Sequence, residues 1–254
     1  MIGVVPAPRT VIEAFLPFEG EVGLGLVYDT ANAAGVGDQP LRLAIRRMAA
    51  AGEVIQTGRG RGGSLALTGR GRERLLRDRL GLRLAFAQDA GEAPWDGCWR
   101  LLAFSVQEDE RSVRDTLRRR LLDAGAAPLT PGLYVSPHDL TGMLDEPAQL
   151  IRATARELDV RGVTAPLAVA ERLWPAGPIA GGYAAVEPVI AEPAADPLVQ
   201  QLRLAEALER AIRDDPLIPL ELRDSPWAPA RIRRAWLAAW NESSDGRLYR
   251  GWLD

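Results

Sequence analysis

Lysine is absent from this 254-residue chain, and all 31 basic residues are arginine. That excludes Schiff-base catalysis and the lysine of a phosphate-binding loop. A single cysteine, Cys98, excludes an intramolecular disulfide and a zinc site built from cysteines. A single histidine, His138, excludes a histidine-rich metal centre and a metalloprotease motif. No catalytic residue and no metal ligand is expected. No apolar run approaches the roughly 18 residues of a bilayer-crossing helix, so no membrane partner is expected. The start, Met1-Ile2-Gly3-Val4-Val5-Pro6, lacks a basic region and a long apolar stretch. A secretory signal is therefore not expected, and a cytoplasmic location is. What remains is ordinary for a globular protein: 47% apolar and 26% charged residues, with length for about two domains.

Charge is unevenly spread. Residues 39–83 hold eleven arginines against three acids, Glu53, Glu73 and Asp78, a local charge of +8 inside a chain of net −3. Such asymmetry fits a module that binds a polyanion, or else a solvated arginine surface.

Apolar spacing gives this segment a shape. Val11, Ile12, Phe15 and Leu16 suit one short amphipathic helix, and Leu24, Val27, Tyr28 and Ala31 a second. Gly35-Val36-Gly37 supplies a turn. Asp38 is placed to N-cap a third helix with Pro40 in its first turn. In that helix Leu41, Ala44, Ile45 and Met48 form the core stripe, while Gln39, Arg42 and Arg46 share the opposite face and Arg47 lies on the shoulder. Gly52 ends it. Residues 53–57 and 64–68 then read as two strands around the tip Gly58-Arg59-Gly60-Arg61-Gly62-Gly63. Helix, turn, helix and hairpin in this order predict a winged helix-turn-helix over 1–84. Arg42 and Arg46 are candidates for guanine edges or for phosphates, and Gln39 for a base edge or a cap extension. Arg47 is a candidate for phosphate or an internal carboxylate, and Arg59 and Arg61 for the DNA backbone or minor groove.

Farther on, Gln88–Pro94 reads as a linker. A strand from Trp99 to Val106 follows, then a helix over 110–124, with Val113, Leu117 and Leu121 on one face and Arg111, Arg114 and Arg118 on another. A hairpin spans Ala127–Thr130 and Leu133–Ser136, with a helix over Pro147–Leu158 and a strand over Val163–Val169. This β-α-β-β-α-β order predicts a ferredoxin-like domain over 95–171, and therefore an α+β chain. Such sheets often pair, which would suit a homodimer on two half-sites. Cys98 beside Trp99 reads as a buried or half-buried structural thiol, and His138 as a surface loop residue.

The run Pro94-Trp95-Asp96-Gly97-Cys98-Trp99-Arg100-Leu101 resembles the PaaX family of phenylacetate-catabolism repressors. So do Arg118-Arg119-Arg120-Leu121 and Pro128-Leu129-Thr130-Pro131-Gly132-Leu133-Tyr134-Val135-Ser136-Pro137. Leu41-Arg42-Leu43-Ala44-Ile45-Arg46-Arg47-Met48 is similar to that family's recognition helix. Asp215-Pro216-Leu217-Ile218-Pro219 and Pro226-Trp227 are similar to its later stretches. The resemblance implies a Cas2-like middle domain and a helical C-terminal domain, here 172–254. It also implies a dimeric regulator, usually a repressor, released from a pseudo-palindromic double-stranded operator by an acyl-CoA such as phenylacetyl-CoA. A Cas2-like metal-dependent nuclease is the alternative, but Ser105 stands where such nucleases place a metal-binding aspartate, and a hydroxyl does not replace a carboxylate there. A second alternative is an interaction module that no longer binds DNA. Gln39-Pro40 and Arg46 depart from the family pattern, so an operator sequence is not carried over.

Beyond residue 172, Leu198–Ile212 and Arg231–Trp240 read as amphipathic helices. Trp174, Tyr183, Trp227 and Trp236 are candidates either for core or for a pocket that takes an aromatic acyl group. Arg203, with Arg172 and Arg231, is a candidate for the phosphates of such a ligand.

Overall fold

The computed structural model describes residues 4–104, 111–141 and 150–249. The chain forms two compact units, one of Met1–Arg83, Gly182–Arg213 and Arg231–Asp254, the other of Leu84–Gly181 and Asp214–Ala230. Residues 172–254 are thus shared between the two units.

The first unit opens with α1 (Pro8–Phe15), β1 (Glu21–Gly23), α2 (Leu24–Ala33) and α3 (Asp38–Ala50). β2 (Val54–Thr57) and β3 (Ser64–Leu67) form the hairpin, with a short 3-10 turn over Gly60–Gly62. β1 adds a third strand, giving the antiparallel order β1-β3-β2. The helical stripes are as the spacing predicts: Val11, Ile12, Phe15 and Leu16 pack with Val27, Tyr28, Leu41, Ile45 and Met48 in one core. Asp38 is not the cap of α3. Gly37 occupies the N-cap, and Asp38 is the first helical residue. Its carboxylate, freed from capping, accepts from Asn32 Nδ2 at 3.1 Å instead.

α4 (Gly69–Asp78) follows β3 directly, its N-terminus capped by Thr68, whose Oγ1 accepts from the Gly71 N–H. α10 (Pro197–Arg213) returns to this unit and adds Leu198, Val199 and Leu202 to the core. It also completes the N-terminus of α1, which has no side-chain cap of its own. The buried Glu206 carboxylate accepts from the Ala7 N–H and from Thr10 Oγ1, both at 2.7 Å. Burial works against this charge, but those bonds and the Arg210 guanidinium hold the Glu206 carboxyl below its ordinary range. An acid at a helix N-terminus also complements its dipole.

In the second unit, α5 (Leu80–Asp89) straddles the boundary and runs into the expected linker. Gln88 is buried there and its amide donates to the Leu217 carbonyl at 2.7 Å. β4 (Trp99–Phe104), α6 (Arg111–Asp123), β5 (Ala127–Thr130), β6 (Leu133–Ser136) and β7 (Leu150–Ala155) follow. The sheet is antiparallel throughout, in the order β5-β6-β4-β7. In that order the second strand is split from the first by the third, and the fourth lies outside the first, which is the ferredoxin-like arrangement. One face buries Leu102, Phe104 and Tyr134 against Leu117 and Leu121 of α6. The other buries Trp99 and Val135 with Val169, Ala170 and Trp174.

Two elements differ from the sequence reading. Of the helix expected over 147–158, residues 147–149 lie outside the described residues, and 150–155 form the strand β7, paired with β4 from Trp99↔Ala155 to Phe104↔Leu150. The exposed edge of β4 offers six backbone partners, and that pairing outweighs the helical propensity of an alanine-containing segment. The expected strand over 163–169 is mostly the helix α7 (Pro166–Leu173), with Val163 in a single bridge to Val160. Pro166 at the helix start has the fixed φ a first turn needs. Ser105 and the connection across 142–149 lie outside the described residues.

His138 is also placed differently, half-buried rather than on the surface. Its Nε2 donates to the same Leu217 carbonyl at 2.8 Å, and burial pulls the imidazole pKa down, favouring the neutral ring. Cys98 is half-buried, in keeping with a structural thiol.

α8 (Ala176–Ala184), α9 (Glu187–Ala191) and α11 (Ala228–Ser243) complete the fold. Among the described residues no helix is long and apolar enough to cross a membrane.

Candidate nucleic-acid interface

α3 presents one face to the core and one to solvent. Leu41, Ile45 and Met48 are buried, whereas Gln39, Arg42, Leu43, Arg46 and Arg47 are exposed. The sequence arranges this directly, because apolar residues recur every three or four positions and arginines fall between them. Leu43 has 46% of its surface exposed, beside the arginines. Periodicity gives no reason for an apolar residue on that face, so sequence reasoning missed it. A methylene surface among polar side chains is what contact with a thymine methyl requires.

The arginines of the face are not equivalent. Arg46 and Arg47 make no ion pair among the described residues. Arg42 leans back one turn, with Nε donating to the Asp38 carbonyl at 3.3 Å and a terminal nitrogen 4.0 Å from the Asp38 carboxylate. An exposed pair of that length is worth about 0–1 kcal/mol, so Arg42 is readily released.

The hairpin tip is held against the helices. The Leu24 N–H donates to the Gly63 carbonyl at 2.8 Å, which fixes the tip to the start of α2. Gly25 lets it approach, since a Cβ there would sit 3.3 Å from the Arg61 carbonyl. The Arg61 guanidinium bonds the Asp29 carboxylate, lies 3.5 Å from that of Asp38 and covers the Tyr28 ring at 5.5 Å. Arg61 therefore ties the hairpin to α2 and α3, a contact that spacing along the chain could not show. Arg59 is exposed and makes no ion pair among the described residues.

Part of the local +8 charge is spent inside the unit. Arg74 bonds Glu13 at 2.7 Å and Asp78 at 2.6 Å and lies 3.6 Å from Glu53. Arg72 donates to the Leu67 carbonyl at 3.1 Å, and Arg79 covers the Tyr249 ring at 4.7 Å. The exposed arginines without an ion pair among the described residues are Arg46 and Arg47 of α3 and Arg59 of the hairpin tip, with Arg70, Arg77 and Arg83 beyond them. A convex helix that carries glutamine, leucine and free guanidinium groups, flanked by an arginine-bearing hairpin, has the shape and charge to enter a major groove.

The residues proposed to hold a small ligand fall in both units. In the first unit Tyr183 is fully buried and its hydroxyl accepts from Arg233 at 3.0 Å. Trp236 donates to the Leu204 carbonyl at 2.8 Å and stacks on Trp240 at 5.1 Å. Arg203, half-buried, lies on α10. In the second unit Trp174 stacks on Trp99 at 6.4 Å and donates to the Gly125 carbonyl at 2.9 Å. Trp227 lies under Arg223 at 4.9 Å. Arg172 donates to the Val160 carbonyl at 3.3 Å, and Arg231 pairs with Glu187 at 2.7 Å. Trp174, Tyr183 and Trp236 are committed to core packing, each with its polar atom satisfied.

Comparison with known proteins adds two findings. Over its whole length the chain is similar to a solved structure described as an uncharacterized protein, Rv0674, from Mycobacterium tuberculosis. The identity is 23%, the TM-score is 0.60, and the match covers 96% of this chain and 98% of that one. At that identity the likeness is one of fold. No curated protein sequence matches the chain significantly. Residues 92–163 match the family model described as the PaaX protein central Cas2-like domain. This is the segment whose strands adopt the order β5-β6-β4-β7 and whose sequence carries the Trp95–Arg100 and Pro128–Pro137 runs. The middle of the chain is thus similar to the central Cas2-like domain of PaaX proteins.

Proposed function

We propose that this protein is a DNA-binding transcription regulator of the PaaX type, which reads duplex DNA with α3 and steadies it with the hairpin tip. The observation that carries the reading is the solvent face of α3, where Gln39, Leu43, Arg46 and Arg47 stand exposed. The PaaX-type middle domain supports a regulator rather than an enzyme. A homodimer on a pseudo-palindromic operator follows from the same reading. The strand β7 lies at the edge of its sheet, with residues 151–154 exposed, a geometry open to pairing with a second copy. Repression, and release by an acyl-CoA in a phenylacetate-type pathway, belong to the family resemblance.

The test is a gel shift with duplex DNA from upstream of the protein's own gene, repeated across a salt series. Binding at low salt is expected, weakening on a log–log plot with a slope near −0.9 for each phosphate neutralised. Absence of binding at low salt would refute the reading.

Asp29 makes a further prediction. Its carboxylate competes with DNA phosphates for Arg61. Asp29→Asn removes the competitor and one repulsive charge, so affinity for any duplex should rise, by about threefold on the scale of exposed ion pairs. Filter binding of the two proteins at one salt concentration measures it, and an unchanged or weaker affinity would show that Arg61 serves only the internal contact.

A further inference from the structure

Tyr28 of α2 belongs to the core of the first unit by its ring and to the face of α3 by its hydroxyl. Only 3% of its surface is exposed, and it packs in the same core as Leu41 and Ile45. The hydroxyl makes no hydrogen bond among the described residues, and its oxygen is not sealed from solvent. The polar tip of a buried tyrosine normally finds a partner. Here the fold supplies none.

The charged groups around this hydroxyl come from three elements. α3 contributes Arg42, Arg46 and Asp38. The hairpin tip contributes Arg61, whose guanidinium lies 5.5 Å from the ring centroid. α2 itself contributes Asp29, which bonds Arg61. Three guanidinium groups against two carboxylates leave one excess positive charge among the described residues. Burial is the largest influence on the phenol and raises its pKa, with Asp38 adding to the rise and the three arginines opposing it. The hydroxyl therefore keeps its proton at neutral pH and is available as a donor. Core packing fixes the ring, so the donor stands in one position, unlike the long arginine side chains around it.

We propose that the Tyr28 hydroxyl donates to a backbone phosphate of the bound duplex, in a site completed by the Arg61 guanidinium. The inference rests on the reading of α3 as the helix that enters the groove. In a helix-turn-helix the preceding helix crosses the DNA backbone, and α2 is that helix. An O–H donor beside a guanidinium suits an acceptor-only oxyanion. A base edge fits less well, because Tyr28 lies on α2 and not on the solvent face of α3. The contact positions the recognition helix and carries no sequence information.

The experiment compares wild type with Tyr28→Phe, which removes the oxygen and keeps the ring. Fluorescence anisotropy on preferred and scrambled duplexes, across a salt series, is the readout. Tyr28→Phe should weaken both duplexes by about tenfold, the scale of one hydrogen bond to a charged group. Its salt slope should match wild type, because no cation is lost, whereas loss of a phosphate-bound arginine lowers the slope by about one. Thermal unfolding without DNA should show no loss of stability, since the hydroxyl has no partner inside the protein. Duplexes with a single neutral methylphosphonate locate the phosphate. At one backbone position the replacement should cost wild type about tenfold and Tyr28→Phe clearly less. Equal affinity of the two proteins overturns the proposal. So does a loss confined to the preferred duplex, which would place the hydroxyl on a base edge. A less stable Tyr28→Phe also overturns it, because the oxygen would then be structural. Wild type that binds no duplex at low salt refutes the regulator reading itself, and this contact with it.

Discussion

Replacing Arg42 and Arg46 together with alanine is expected to lower affinity for the preferred duplex by about 30-fold to 10⁴-fold. The range follows from roughly 1–3 kcal/mol for each good base-edge contact. The fold should not suffer: both side chains are exposed, and surface substitutions of this kind usually change stability by less than about 0.5 kcal/mol. Affinity for unrelated DNA should fall much less, so the two sequences become hard to tell apart. The single variants divide the effect. Arg46 makes no ion pair among the described residues, whereas Arg42 leaves a weak contact with Asp38 before it can bind, so Arg46→Ala should cost more. Fluorescence anisotropy with preferred and scrambled duplexes at several salt concentrations measures all of this. A uniform loss on both duplexes, with the salt slope reduced by about one for each arginine removed, would assign the pair to phosphates instead.

Gly71→Ala is expected to destabilise the first unit by about 3 kcal/mol, the upper part of the range for overpacking. Alanine normally stabilises a helix relative to glycine by about 0.5–1 kcal/mol, so the predicted sign is the reverse of propensity. The reason is contact between two backbones. A Cβ at position 71 would lie 2.0 Å from the Glu53 carbonyl oxygen and 2.9 Å from its carbon. Neither can swing aside. The Glu53 carbonyl also accepts from the Thr68 N–H at 3.1 Å, and the Thr68 hydroxyl donates to the Gly52 carbonyl at 2.6 Å. Pushing α4 away would therefore strip its N-cap and disturb the start of β2 as well. Gly69→Ala, two residues earlier, meets nothing within 4 Å and should be neutral or slightly stabilising. Urea denaturation of the three proteins decides, and equal stability for both variants would refute the packing argument.

The N-terminal helices and hairpin were legible because they obey local rules. The spacing of Leu41, Ala44, Ile45 and Met48 sets one face of α3 and so exposes Gln39, Arg42 and Arg46 on the other. The glycine-rich tip between two apolar runs marks the hairpin. Asp38 was misassigned by one position: Gly37 has the extended backbone of an N-cap, and the Asp38 carboxylate faces Asn32 and Arg61. Arg61 and Asp29 are 32 residues apart, and nothing in either segment names the other as its partner. The same holds for Thr10 and Glu206, where a carboxylate from α10 completes the start of α1.

The second unit shows where local rules fail. Residues 147–158 contain alanine, leucine, arginine and glutamate at helical frequency, yet 150–155 form a strand because β4 has a free edge of matching length. The fourth strand is present, but earlier in the chain than its apolar pattern suggests. The aromatic candidates for a ligand pocket meet a related limit. Tryptophans read equally well as wall or as core, and only their partners show which applies. For Trp174 those partners are the Trp99 ring and the Gly125 carbonyl.

Sequence by itself determined that this chain has no lysine, no intramolecular disulfide and no histidine-rich metal centre, and that its basic charge is concentrated in one module whose helix and hairpin follow from apolar spacing. Periodicity and turn chemistry act between near neighbours, so they can be read in order along the chain. Tertiary structure alone decided which arginines are paired inside the fold, as Arg61 is with Asp29 and Arg74 with Glu13. It also set the strand order of the middle domain and the division of residues 172–254 between two units. Those outcomes depend on contacts between residues tens to hundreds of positions apart, and such contacts are selected by edge pairing, burial and charge only once the chain has folded.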